Sequence, residues 1–197
     1  MICVMVGPPG SGKGTQAELI AAALGVPHIS TGELLRAEAA AGTPLGREVA
    51  PLLAAGELVP DELMERLVQQ RLAAPDAAPG AILDGYPRTV PQAEALDRCL
   101  AATGRRADLV LVLEVEEEML VRRLLDRAAK EHRTDDNPDS IAERLVEYRQ
   151  LTEPVVEQYR GAGVAVLAVD GTGPVDAVHA RIARAMRGAG LLADEQA

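Results

Sequence analysis

Five short apolar runs, at residues 2–6, 26–29, 81–83, 109–113 and 164–169, restrict the possible folds more than any other feature of this chain. They are rich in β-branched residues, and their apolarity is continuous rather than alternating. Each therefore predicts a strand covered on both faces, as in a parallel sheet. Helical patterns fill the intervals. The first helix opens at a glycine-rich loop, carries Leu19, Ile20, Ala23 and Leu24 on one side, and stops at Gly25 with Pro27 beyond. Residues 31–74 hold three helical stretches with no strand among them, punctuated by Gly42, Pro44, Gly56 and Pro60, which reads as a helical arm inserted between two strands. Thr89 opens a helix to about residue 102, and a stretch from 116 to about 130 begins with acidic residues, as the helix dipole prefers. Asn137-Pro138 is a cap and first-turn pair for a helix to about residue 159, kinked at Pro154. Pro174 opens the last helix, and the tail after Gly188 reads as frayed. Such alternation implies right-handed crossovers and an open, doubly wound, five-stranded parallel sheet. Ligands of such sheets sit at the carboxyl ends of the strands.

The 197 residues suit one domain, or one domain carrying a small mobile insertion. With no Phe and no Trp, aliphatic side chains must fill the core. A net charge of -10 repels nucleic acid and anionic membranes, so neither is expected as a partner. No apolar stretch approaches the roughly 20 residues that span a bilayer. Cys3 and Cys99 form no ligand-spaced cluster and read as reduced structural thiols, and with no export signal the expected location is the cytoplasm.

Gly7-Pro8-Pro9-Gly10-Ser11-Gly12-Lys13 follows a predicted strand and opens a helix, the context that G-x-x-x-x-G-K requires. Its glycines let the backbone curl so that successive N–H groups surround phosphate oxygens, and the helix start adds positive potential. Only two lysines, Lys13 and Lys130, stand against 18 arginines, and one of the two falls where a lysine would reach β- and γ-phosphates. The residue after it is Gly14 rather than Ser or Thr, with Thr15 next. The plain alternative is a glycine-rich strand-to-helix turn.

Gly14 itself carries a resemblance: GPPGSGKGTQ is similar to the phosphate loop of the adenylate kinase family of nucleoside monophosphate kinases. Further blocks agree. Ser30 to Arg36 resembles the family's STG-x-L-R segment, and Asp84-Gly85-Tyr86-Pro87-Arg88, followed by Gln92, resembles its DG-aromatic-PR segment. His132 to Asp136 resembles GR-x-DD with His in place of Gly, Arg144 lies at the family's interval downstream, and Val169 to Pro174 resembles the closing VDGT-x-P loop. The resemblance spans essentially the whole chain. It implies a P-loop NTPase-type sheet with an inserted arm for the monophosphate at residues 30–59 and a short lid at 127–133, all within one nucleotide kinase domain.

The implied reaction is reversible phosphoryl transfer from Mg·ATP to AMP, giving two ADP. Gly10, Ser11, Gly12, Lys13, Gly14 and Thr15 would hold the donor phosphates, and Asp84 would act on Mg²⁺, through water. Thr31, Arg36 and Gln92 would bind AMP, with the main chain at Glu57, Leu58 and Val59 and the segment Gly85, Tyr86, Pro87 and Arg88. Arg123, Arg127, Arg133 and Arg144 would surround the phosphates in the closed state, Arg123 also stacking on the donor base, while the Gly173 backbone would meet adenine. The resemblance also suggests a monomer, and with no Cys cluster the lid holds no zinc.

The residue types suit that chemistry, because transfer to an anionic acceptor is mainly positioning and charge neutralisation. Arginine binds phosphate oxygens in pairs through a fixed fork and stays protonated. Arg123 and Arg127 are four apart on a helix, bordering a stripe of Leu120, Val121, Leu124 and Leu125. Asp84 closes a buried strand, where an unpaired carboxylate is costly; duty beside a metal and a structural salt bridge are both uses for it. For the arginines the bland alternative is a solvated helix face. Rival functions are a UMP or CMP kinase, a GTP-using AMP kinase, and a nucleotide-binding regulatory module without turnover. Thr31 and Gln92 favour adenine over the pyrimidines, whose kinases resemble SAG and DGFPRN at those places.

Overall fold

The computed structural model describes residues 1–55, 57, 59–131 and 137–192. Five strands, β1 (Ile2–Val6), β2 (His28–Ser30), β3 (Ala81–Asp84), β4 (Leu109–Glu114) and β5 (Ala165–Asp170), form one sheet in the order β2-β3-β1-β4-β5. All four pairings are parallel. This is the doubly wound sheet expected from the runs of continuous apolarity, although β2 and β5 lie one or two residues beyond the runs that announced them.

The continuity follows from burial on both faces. Along β1, Ile2, Val4 and Val6 join one core cluster, whereas Cys3 and Met5 join another on the opposite face. The first cluster is closed by α5 (Val90–Ala101) and α8 (Glu153–Gly161), through Leu96, Leu100, Val155 and Tyr159. The second is closed by α1 (Lys13–Leu24) and α9 (Val175–Gly188), through Ala17, Ile20, Ala21, Val178, Ile182 and Met186. In the absence of Phe and Trp, Tyr86 and Tyr159 are the largest fully buried side chains.

Between β2 and β3 run α2 (Thr31–Ala41), α3 (Pro44–Ala55) and α4 (Asp61–Leu72). Ser30 caps α2 by accepting from the Glu33 N–H. A Cβ at Gly46 would lie 1.9 Å from the Glu38 carbonyl oxygen, so the close seating of α3 on α2 requires glycine there. After β4, α6 (Glu117–Glu131) and α7 (Pro138–Glu147) pack through Leu120, Leu124, Ile141 and Leu145. Asn137 caps α7, accepting from the Ser140 N–H at 3.0 Å.

Four local expectations need correction. On α1 the buried side comprises Gln16, Ala17, Ile20 and Ala21, while Leu19 and Ala23 are exposed. Small residues let the helix lie close to the sheet, and Gln16 is satisfied inside by donating to the Val175 carbonyl oxygen at 3.0 Å. On α6 the stripe ends at Leu124, and Leu125 is exposed. The break before α8 is a π-helical turn over Tyr148–Thr152, which precedes Pro154; Pro154 sits in the first turn of α8, where its missing N–H costs nothing. Beyond α9, Leu191 and Leu192 are half-buried against the second core cluster rather than frayed, and the rest of the tail, residues 193–197, lies outside the described residues. No described helix is long and apolar enough to cross a membrane.

Candidate active site

The sheet order sets the site. From β1 the chain crosses to β2, and β3 then returns between them before β4 takes the other side of β1. The carboxyl ends of β1 and β3 thus meet at the point where the winding reverses, with Met5 level with Asp84. A cleft of about 380 Å³ opens there, within the usual range for a small-molecule site.

The loop after β1 forms one wall. Gly10 has φ +83, and a Cβ there would stand 3.0 Å from the Leu120 carbonyl oxygen and from Leu124 Cγ, so only glycine lets α6 press against the loop. Gly12 is the N-cap of α1 and provides no side-chain cap. The first N–H groups of the helix are therefore left for an anion. Lys13 folds over the loop and donates to the carbonyl oxygens of Gly7 at 2.7 Å and Pro8 at 2.9 Å. Burial pushes its pKa down to about 8; Asp84 opposes the shift, and Arg88, Arg144 and Arg127 add to it.

Asp84 closes β3 across from this loop. A Cβ on Gly14 would lie 3.5 Å from Asp84 Oδ2, an ordinary contact distance, which places the carboxylate against the start of α1. His28 Nε2, at 3.7 Å, is near enough for electrostatic attraction but too far for a hydrogen bond. Burial works to raise the Asp84 pKa, yet His28, Lys13 and Arg88 together hold it below the usual carboxylate range. Burial likewise opposes protonation of His28, and Asp84 outweighs it, leaving the imidazole pKa raised. Mg²⁺ fits these donors, since an ionised carboxylate faces the glycine loop across the cleft. That ion commonly keeps water and phosphate oxygens around one or two carboxylates.

The turn after β3 supplies Arg88. Gly85 has φ +80, and a Cβ there would meet Thr31 Oγ1 at 2.8 Å, so this turn too requires glycine. Arg88 Nε donates to the Gly85 carbonyl oxygen at 2.9 Å. Burial first, then the nearby Arg144, depress its pKa, a sign of a guanidinium held desolvated beside another cation. On the far wall, Arg123 donates to the carbonyl oxygens of Ser11 at 3.4 Å and Gly171 at 3.2 Å.

Thirteen of the residues singled out from sequence line this one cleft: Gly10, Gly12, Lys13, Gly14, Thr15, Arg36, Asp84, Gly85, Pro87, Arg88, Arg123, Arg127 and Arg144. Five arginines and a lysine thus converge in a chain of net charge -10. Other singled-out residues stand apart from its lining. Ser11 is buried inside the loop. Thr31 is buried and donates to the Asp84 carbonyl oxygen at 3.4 Å. Tyr86 is buried and donates to the Gln92 carbonyl oxygen at 3.1 Å. Gln92 is only 2% exposed, and both ends of its amide are engaged: Nε2 donates to Asp61 Oδ1 at 2.6 Å and Oε1 accepts from the Arg88 N–H at 2.7 Å. Glu57 and Gly173 are exposed and Val59 is buried, and none of the three is among the residues that line the cleft. Leu58 and Arg133, with the rest of the 132–136 segment, lie outside the described residues.

Sequence reasoning missed Glu33, Glu147, Tyr148 and Thr152, which also line the cleft. The last two stand on the π-helical turn and belong to no motif. Thr152 donates to the Arg88 carbonyl oxygen at 3.0 Å and so supports the backbone of that arginine. Asp61 carries no motif signal either, and only its contact with Gln92 reveals it.

Comparison with known proteins gives consistent matches. The family model described as adenylate kinase matches residues 5–164. The chain is similar to an adenylate kinase of Stenotrophomonas maltophilia, strain K279a, with 47% identity over 95% of this chain and 100% of the relative. It is 45% identical to one of Thermobifida fusca, strain YX, over 95% of this chain and 98% of the relative. It is 48% identical to one of Nocardia farcinica, strain IFM 10152, over 94% and 99% respectively.

Proposed function

The chain belongs to the adenylate kinase family, and we infer that it catalyses reversible phosphoryl transfer from ATP to AMP, giving two ADP. One observation carries the inference beyond the family: a phosphate loop with its lysine and five arginines surround a single cleft at the sheet's switch point. That is what two polyphosphate chains need in order to approach each other.

The donor phosphates lie along the N–H groups from Gly10 to Thr15, with Lys13 exchanging its loop carbonyl partners for phosphate oxygens. An oxygen of the AMP phosphate attacks the γ-phosphorus as the bond to the bridging oxygen breaks, and the leaving charge stays on the β-phosphate of the new ADP. No general base is required, because the acceptor phosphate is already anionic at neutral pH. Arg36 and Arg88 hold the acceptor phosphate, and Arg123, Arg127, Arg133 and Arg144 neutralise the transferring group. Asp84 would hold Mg²⁺ through water, and the ion, when bound, spreads phosphate charge during transfer. Thr31, Gln92, the main chain of residues 57–59 and the 85–88 turn take AMP, and the 30–59 arm closes over it while residues 127–133 act as a short lid. For Gln92 to read a base, its amide must exchange Asp61 for the nucleotide. The Gly173 backbone meets the donor adenine. The protein acts as a monomer in the cytoplasm, without nucleic-acid or membrane partners and without zinc.

A coupled assay with AMP, UMP, CMP and GMP as acceptors and Mg·ATP or Mg·GTP as donor tests this reading. AMP with Mg·ATP is expected to exceed every other pair by roughly 10²-fold in kcat/KM. Comparable turnover of UMP or CMP, or none with any pair, overturns it.

A further inference from the structure

The loop that links β5 to α9 has an unusual pattern of restraint. Arg181, two turns into α9, donates from Nη1 to the carbonyl oxygens of Asp170 at 2.6 Å and Thr172 at 2.8 Å. Between them, the Gly171 carbonyl oxygen accepts from Arg123 Nη2 at 3.2 Å, whose other arm reaches Ser11 of the phosphate loop. Three successive carbonyls are thus each held by a guanidinium. The N–H groups are tied as well, that of Gly171 to the Glu114 carbonyl oxygen at 2.8 Å and that of Thr172 to Asp170 Oδ1 at 2.9 Å. A Cβ at Gly171 would lie 2.8 Å from Val115 Cγ2, so the loop also sits flush on the residue that follows β4. Gly173, exposed and with φ +99, is the loop residue whose backbone groups are used by no partner among the described residues.

We propose that Arg181 is a positioning residue for the donor base: by holding the Asp170 and Thr172 carbonyls it keeps the 170–173 loop in the one form that offers the Gly173 backbone to the base. This rests on the reading that the loop lies at the donor's base. Arg123 fixes the loop from the phosphate side and Arg181 from behind, so the distance from triphosphate site to base site is set by two cations that pull on adjacent carbonyls. A charged donor that spans two carbonyls is not replaced by water without loosening the loop.

Calorimetric titrations with ATP, inorganic tripolyphosphate and AMP separate this role from a general structural one. Tripolyphosphate occupies the phosphate loop and lacks a base. In Arg181→Ala the ATP dissociation constant, and KM for ATP in the coupled assay, are expected to rise about 5- to 10-fold, with tripolyphosphate and AMP changed by less than about two-fold. Arg181→Lys should recover part of the ATP affinity, and Arg184→Ala, an exposed arginine on the same helix, should change none of the three. Equal weakening of ATP and tripolyphosphate, or no weakening of ATP, overturns the proposal. Should the alanine variant not fold, Arg181→Gln carries the same comparison. Failure of the unaltered protein to bind either phosphate compound would instead overturn the donor-site reading on which the proposal rests.

Discussion

Replacing Arg88 by alanine should separate function from stability. Its Nε bond to the Gly85 carbonyl oxygen is the contact that aims the guanidinium into the cleft. Burial and Arg144 already make its charge unfavourable in the free protein, which is the condition of a group waiting for an anion. Loss of one preorganised, charge-stabilising donor typically lowers kcat by about 10²- to 10³-fold, or roughly 3–4 kcal/mol of barrier. The folded state loses one charge-assisted hydrogen bond, about 1.5–3 kcal/mol, but is relieved of a buried cation beside Arg144. These contributions oppose each other, so the net change in stability should stay within about 1 kcal/mol and Tm should move by no more than about 4 °C. ADP formation followed with a coupling enzyme, together with a thermal melt of the same preparation, reads both quantities. Arg88→Lys should fall between the two proteins, since it keeps the charge and loses the fork. A kcat within about five-fold of the unaltered protein, with Tm preserved, would refute the reasoning.

Other perturbations probe different parts of the site. Lys13, with its pKa lowered to about 8, should take up a proton when a triphosphate restores its charge, so ATP binding near pH 9 should show buffer-dependent heat from proton uptake that disappears near pH 6.5. In the same free protein the unfolded chain holds the Lys13 proton more tightly than the folded one, so stability attributable to this group should rise with pH above about 8, and Lys13→Met should remove that rise in pH-dependent melts. Gly85→Ala forces a side chain into φ +80 and against Thr31 Oγ1, and should lower stability by about 1–3 kcal/mol in denaturant titrations while raising KM for AMP more than KM for ATP. Leu124→Ala removes the fully buried side chain beneath Gly10 and should cost about 2–5 kcal/mol, with weaker ATP binding as the loop loses its support.

Much of the fold could be read from the sequence because burial on both faces leaves a plain record. Val4 faces one core cluster and Met5 the other, so β1 must be apolar throughout. The phosphate loop was equally plain, since its geometry depends on glycines and one rare lysine at fixed intervals. Less could be read where packing overrides local pattern. Leu19 looks like a core residue by type, yet α1 turns Ala17 and Ala21 inward beside Gln16 and Ile20 and leaves Leu19 exposed, an orientation set by packing on the sheet rather than by residue type. Pro154 signalled a break near residue 154, but the π-helical turn precedes it and places Thr152 against the Arg88 backbone, a contact set by tertiary packing across 64 positions. The partners of Gln92 and Asp84 were hidden for the same reason. Asp61 and His28 come from elements distant in sequence, and nothing local to either marks it as a neighbour of the site.

The central claim is direct transfer between two nucleotides held in one cleft. With enzyme in excess over ATP labelled at the γ-phosphate, addition of AMP and rapid acid quenching reads the fate of the label in a single turnover. The label is expected in the β-phosphate of ADP derived from AMP, with none on the protein at any time. Label attached to the protein before ADP appears, or released as inorganic phosphate while AMP stays unlabelled, would contradict the account.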